Sequence, residues 1–165
     1  MPLRLVLAAA LLAAASLVRA DDLADVRKLV AAGDLPKALE RARQSPEPRP
    51  AALRFQEGVI LMDLRRDAEA LAQFRRLTED YPELPDPYNN IALLEARAGR
   101  LEEARLALET ALRNDPSHVL ARANLGEIHL RLAAAAFERA ASEAPADAAL
   151  QRRLRQVRDL LAAGR

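Results

Sequence analysis

"YNNIALLEARAGRLEEARLALETALRNDP", residues 88–116, holds the pattern from which the rest of the chain is read. Two stretches rich in Ala and Leu flank a polar break, "RAGRLEEA". Gly99 in that break can take the left-handed conformation that ends a helix. Ala104 and Leu108 lie one helical turn apart on the second stretch, and "NDP" closes it at Pro116. A helix pair of this kind leaves one face apolar, and stacking against neighbours buries it.

The pattern recurs on both sides. Gly58, Ala92 and Gly126 are spaced by 34 residues, as are Ala70 and Ala104, Phe74 and Leu108, Leu77 and Ala111, and Pro82 and Pro116. In residues 53–64, Leu53, Ile60 and Leu64 share a helical face, with Gly58 allowing close approach of a neighbour. In residues 68–77 the stripe is Ala70, Leu71, Phe74 and Leu77, and "LRRDAEA" is the polar turn between the two.

A 34-residue unit with these small and aromatic positions resembles the tetratricopeptide repeat family. Tyr88, Ile91 and Ala92 fall on the family's Trp, Leu and Gly slots. Ala70 and Phe74, then Ala104 and Leu108, fall on the Ala and aromatic slots of the second helix, and "DYP" and "NDP" close the units. Arg54 and Arg122 occupy the Trp slot in two units, and Glu57 stands where Leu is usual. The resemblance covers about residues 51–145, and more loosely 21–50. It implies an all-α, right-handed α-solenoid. The units are a degenerate helix pair at 21–50, repeats at 51–84 and 85–118, a shortened repeat at 119–145 and a capping helix at 146–165.

In the first pair, Gly33-Asp34 marks the turn, Ala38 and Ala42 are the small positions, and "SPEPRP" breaks any helix. In the last helix, about 147–162, Leu150, Leu154, Val157 and Leu161 form one stripe, backed by Arg152, Arg153, Arg155, Arg158 and Asp159.

The shortened repeat is "NLGEIHLRLAAAAFERAASEAP", residues 124–145. Phe137, Ala140 and Pro145 follow Leu108, Ala111 and Pro116 by 29 residues, so five are missing. The gap falls between His129 and Phe137, where the turn belongs. No Gly or Pro lies between Glu127 and Ala144, and four consecutive alanines sit at the splice. The expectation is one fused helix, about 118–143, roughly 37 Å long. The alternatives are a tighter hairpin turning near Arg131–Ala134, and an inert Ala-rich surface. Leu125, Ile128 and Leu132 make one stripe of the fused helix. Leu130, Ala134, Phe137 and Ala141 make another about 180° away. Leu130, Phe137 and Ala141 are therefore a candidate surface for a second copy or a partner.

Residues 1–20, "MPLRLVLAAALLAAASLVRA", combine a positive end, an apolar run from Leu5 to Leu17 and a small-residue site. This is the pattern of a secretory signal peptide cut after Ala20. The alternative is an uncleaved anchor, for which the run is short against the about 20 apolar residues a span needs. Cleavage leaves 23 basic and 24 acidic residues. That balance argues against nucleic acid as partner. The protein is expected to be periplasmic or secreted, without stable membrane insertion. With no Cys, its stability comes from packing alone.

No catalytic constellation is present: no thiol nucleophile, no Gly-rich phosphate loop, no H-E-x-x-H. His118 and His129 are eleven residues apart, too far along one helix to share a metal ion. The expectation is a non-enzyme, without cofactor or metal, whose partner is a protein or peptide. A homodimer built on the fused helix is the alternative. The family resemblance puts the first helix of each unit on the concave face. Here that means Phe55, Val59 and Met62, then Asn89, Leu93 and Arg97, then Ala123, Glu127 and Arg131, with Asn90 and Asn124 beside them. Asn side chains suit an extended peptide backbone, and Arg97 and Arg131, one period apart, suit a carboxylate. The competing role for Asn90 and Asn124 is packing between repeats.

Overall fold

The computed structural model describes residues 22–163, and the expected signal peptide lies outside them. Every element among these residues is a helix. The helices are α1 (22–31), α2 (Leu35–Gln44), α3 (Ala51–Asp63), α4 (Asp67–Asp80), α5 (Pro85–Arg97), α6 (Leu101–Asn114), α7 (Val119–Glu143) and α8 (Ala148–Ala163). They form two compact units, one running to Pro82 and the other starting at Glu83.

In the first unit α2 packs on α3, and α3 on α4. The core is Val26, Ala38, Leu39, Ala42, Leu53, Ile60, Leu61, Ala70, Phe74 and Leu77. Each large aliphatic side chain so buried contributes about 1.5–3 kcal/mol. Gly58 meets the Phe74 ring so closely that a Cβ there would stand 2.5 Å from Cε1. Phe74 in turn packs against Phe55, centroid to centroid 5.6 Å.

Three turns share one construction. The amide of Asp34 donates to the carbonyl of Leu29, that of Arg66 to Leu61, and that of Arg100 to Glu95. Each closes a helix by the six-to-one bond, which needs a left-handed residue just before it. Gly33 (φ 76°) and Gly99 (φ 79°) supply it, and in the α3–α4 turn Arg65 does so at φ 60°. A side chain there costs about 1 kcal/mol or more relative to glycine.

The first unit also accounts for two departures from the repeat pattern. Glu57, in the usual Leu slot, is 5% exposed. It accepts from Arg43 Nε (2.9 Å) and Arg49 Nη1 (2.7 Å), with Gln73 Nε2 at 3.4 Å. One buried carboxylate thus joins α2, the proline-rich connector, α3 and α4. A buried charge is tolerable only when it is partnered in this way. Arg54, in the Trp slot, pairs with Asp80 (2.6 Å) and lies 6.0 Å over the Tyr81 ring.

In the second unit α6 packs between α5 and α7, and α7 also meets α5 and α8. The core is Ala92, Ala104, Leu108, Ala111, Ala121 and Ile128, with Leu125 and Leu132 packed against it. The fused helix is present: α7 runs 25 residues without a break. Its first stripe faces α5 and α6. Farther along, Ala134 and Ala141 are buried, and α8 packs on this helix through its own stripe, of which Leu154 is buried and Leu150, Val157 and Leu161 are half-buried. Arg158 donates to Glu138 across that pair at 2.7 Å. His118 stands just before α7 as its N-cap: Nδ1 accepts from the amide of Ala121 (3.2 Å), and Nε2 contacts Asp86 at 3.1 Å.

Candidate functional site

Antiparallel packing of α6 against α5 and α7 sets the two flanking helices side by side, with a cleft of about 180 Å3 between them. Ala92, Leu93, Ala96, Leu108 and Ile128 form its apolar part. The small residues of α5 at 92 and 96, required for close helix approach, keep it open. Its polar part is Arg97 from α5 with Asn124, Glu127 and Arg131 from α7.

Three of the five residues expected to bind peptide therefore line one cleft: Arg97, Asn124 and Arg131. Asn89 is 8% exposed and acts from beneath, its Oδ1 accepting from Asn124 Nδ2 at 2.8 Å. This bond fixes the Asn124 amide, and its own Oδ1 has no partner among the described residues. Asn90, one period before Asn124, is half-buried and does not line the cleft. Facing side chains on neighbouring helices differ from the repeat spacing by a residue, so the partner of Asn124 is Asn89, 35 residues back. Arg131 Nε lies 3.4 Å from Glu127, one turn back on the same helix, and its Nη1 lies 3.4 Å from the carbonyl of Ala96. Both contacts are long, and they lay the guanidinium across the rim.

The residues expected to form an association surface are placed differently from one another. Ala141 is 6% exposed, Leu130 and Phe137 are half-buried, and α8 packs on this helix. The large apolar side chains most exposed in α7 are Val119 and Leu120, at its start. Gly126 is also open, with nothing within 4 Å of a Cβ built on it. Phe137, which would cover it in a unit with its turn, is instead carried about 16 Å along the helix. Glu57 and its arginines were beyond sequence reasoning as a group. The one signal was a carboxylate on an apolar face, with Arg43 and Arg49 at −14 and −8.

No helix among the described residues is long and apolar enough to cross a membrane, and no group of three His, Cys, Asp or Glu among them could hold a metal ion.

No protein-family model matches the sequence, and neither does any curated protein. Solved structures do match. The first repeat domain of Spaghetti (RPAP3), bound to the HSP90 peptide SRMEEVD, aligns with a TM-score of 0.65 and 18% identity over 70% of this chain and 93% of that one. A tetratricopeptide repeat protein from Parabacteroides merdae aligns with a TM-score of 0.64 and 16% identity, over 87% and 59%. YrrB, described as having an unusual peptide-binding site, shares 30% identity at a TM-score of 0.54, over 58% of this chain and half of its own. The chain has the tetratricopeptide repeat fold. Its departures from the repeat pattern include the fused α7, where one helix stands in place of a pair, and Glu57 and Arg54 in the first unit.

Proposed function

We propose that this tetratricopeptide protein is a non-enzymatic interaction module that binds a peptide segment of another protein in the cleft between α5 and α7. The observation that carries this is the cleft itself: an apolar floor, a fixed Asn124 amide and two arginines at one rim. Two similar structures are described by the peptides or the peptide site they hold, which supports the reading. Its place is the cell envelope, as an adaptor or assembly factor, after removal of residues 1–20. Random-peptide display on the immobilised protein tests the binding. Enriched peptides should lose affinity for an Arg97→Gln plus Arg131→Gln variant, and a display that enriches nothing overturns the reading. Fractionation of an expressing Gram-negative host tests the address. A periplasmic product beginning at Asp21 supports it, and one retaining Met1 in the cytoplasm does not.

A second reading is self-assembly. The open α7 face around Val119 and Gly126 favours it. Light scattering over a dilution series decides: a dimer supports it, and a monomer at every concentration removes it.

A further inference from the structure

The second half of α7 keeps the marks of a helix that is separate in the other repeats. In α4, Ala70, Phe74 and Leu77 stand at intervals of four and three residues, and in α6 Ala104, Leu108 and Ala111 do the same. All six are 0% exposed. In α7 the same intervals give Ala133, Phe137 and Ala140, and these three are only half-buried. The first half of α7 is incomplete in the complementary way. Gly58 receives the ring of Phe74, whereas nothing stands within 4 Å of a Cβ built on Gly126. One helix thus carries both the small-residue seat and the side chain that belongs on it.

Within one chain the two do not meet. Phe137 lies eleven residues beyond Gly126, three turns and roughly 16 Å along an unbroken helix. Eleven residues also bring the helix round to within about 20°, so Gly126, Ala133, Phe137 and Ala140 share one face. That spacing is self-complementary. Two copies of α7, laid antiparallel about a two-fold axis near residues 131–132, set Phe137 of each opposite Gly126 of the other. Antiparallel is also the sense of α3 against α4, which a short turn joins. The flanks agree in charge. Among the described residues Arg122 has no acidic partner and Glu143 no basic one. A two-fold axis of this kind brings like flanks together, and it sets Arg122 of each copy about 3 Å along the helix from Glu143 of the other. The shared face lies roughly 140–160° around α7 from Arg131 and Asn124, so the pairing leaves the cleft against α5 open.

We propose that two copies of this chain pair through α7, the second half of each helix completing the third repeat of the other, with Phe137 seated on the partner's Gly126 as Phe74 sits on Gly58. This rests on the self-assembly reading and names its surface. The missing turn is the cause: a connection too short to fold back leaves a helix to pair with a second chain.

The experiment measures dimer dissociation by light scattering over a dilution series, with disulfide crosslinking, for which a chain without Cys gives no background. Gly126→Ala separates the two situations. In the single chain its methyl enters empty space, and between two copies it meets the Phe137 ring. Unfolding of the dilute protein should therefore show no loss, while the dimer weakens about tenfold or more. Arg122→Glu or Glu143→Arg alone should weaken the dimer, and the two in one chain should restore it. A mixture of Arg122→Cys chains and Ala140→Cys chains, nearly opposite in this pairing, should crosslink where neither does alone. A dimer that Gly126→Ala leaves equally tight, or a mixture that fails to crosslink, removes this pairing and leaves self-assembly standing. A monomer at every concentration removes both.

Discussion

Gly58 and Gly126 occupy the same slot of the repeat, yet they are in opposite situations. A methyl group at Gly58 would enter the Phe74 ring, which is fully buried and backed by Phe55, so the ring has little room to give. Gly58→Ala should cost about 1–3 kcal/mol, as overpacking of a filled core does. Gly126 has empty space where the Cβ would go. Gly126→Ala should therefore raise stability by about 0.5–1 kcal/mol, through helix propensity and a less free unfolded chain. Urea unfolding of the two variants checks the contrast, and a loss at Gly126 would mean that something covers it. Arg65 follows the same logic in the backbone. It holds φ 60° where the equivalent residue, 34 farther on, is Gly99. Arg65→Gly should raise the unfolding free energy by up to about 1 kcal/mol, and a fall would show that the side chain makes a contact worth more than the strain.

The element that departs from the repeat is α7, and its shape follows from what five residues took with them. With the turn deleted and four alanines at the splice, nothing there stops the helix. Ala135→Pro tests this, because the two geometries give different outcomes. In a continuous helix the proline removes a bond and meets the carbonyl four residues back, costing about 3 kcal/mol or more. In a hairpin turning at 131–134 it would sit in the first turn of a new helix and be tolerated. The structure implies the first result, read as a large fall in midpoint and a loss of helical circular dichroism. At the other end His118→Ala should cost about 1 kcal/mol by removing the cap on Ala121, and His118→Asn should restore most of it. The sequence shows the helix pairs, the Gly99 turn, the fused helix and its two stripes because each follows from local propensity and a fixed period. The bond from Asn124 to Asn89 was not legible, since a one-residue offset between facing helices is a property of packing. Nor was the burial of Ala141, which depends on how far α8 reaches back along α7. Within the site, the types and spacing of Arg97 and Arg131 were readable, and the cleft floor became visible only once α6 was in place beneath them.

Across the whole molecule, acid is the condition that acts on many carboxylates together. Among the described residues, hydrogen bonds and ion pairs hold five of them below their usual range. Asp22 is lowered by the Ser45 hydroxyl and then Arg41, against the opposing effect of burial. Asp34 is lowered by Lys37, Glu69 by Arg66, Glu47 by the Arg49 amide and side chain, and Asp115 by Ser117. A carboxyl whose folded pKa lies below its unfolded value of about 4 stabilises the fold above that value, and the contribution is lost as pH falls through the folded pKa. All five act in the same direction. The urea midpoint should therefore hold between about pH 7 and pH 5 and fall steeply below about pH 4. The contributions differ in kind, however. The ion pairs of Asp34, Glu47 and Glu69 are weakened by salt, whereas Asp115 is held by the neutral Ser117 and Asp22 is 3% exposed and bonded to Ser45 Oγ at 2.5 Å. Added salt should flatten the acid slope only in part. What remains should be reduced by Asp22→Asn, which keeps the shape and removes the titration. An acid slope that vanishes in salt, or that Asp22→Asn leaves unchanged, would mean that the link between the start of α1 and the end of α2 contributes little, and that the pH sensitivity belongs to the surface pairs.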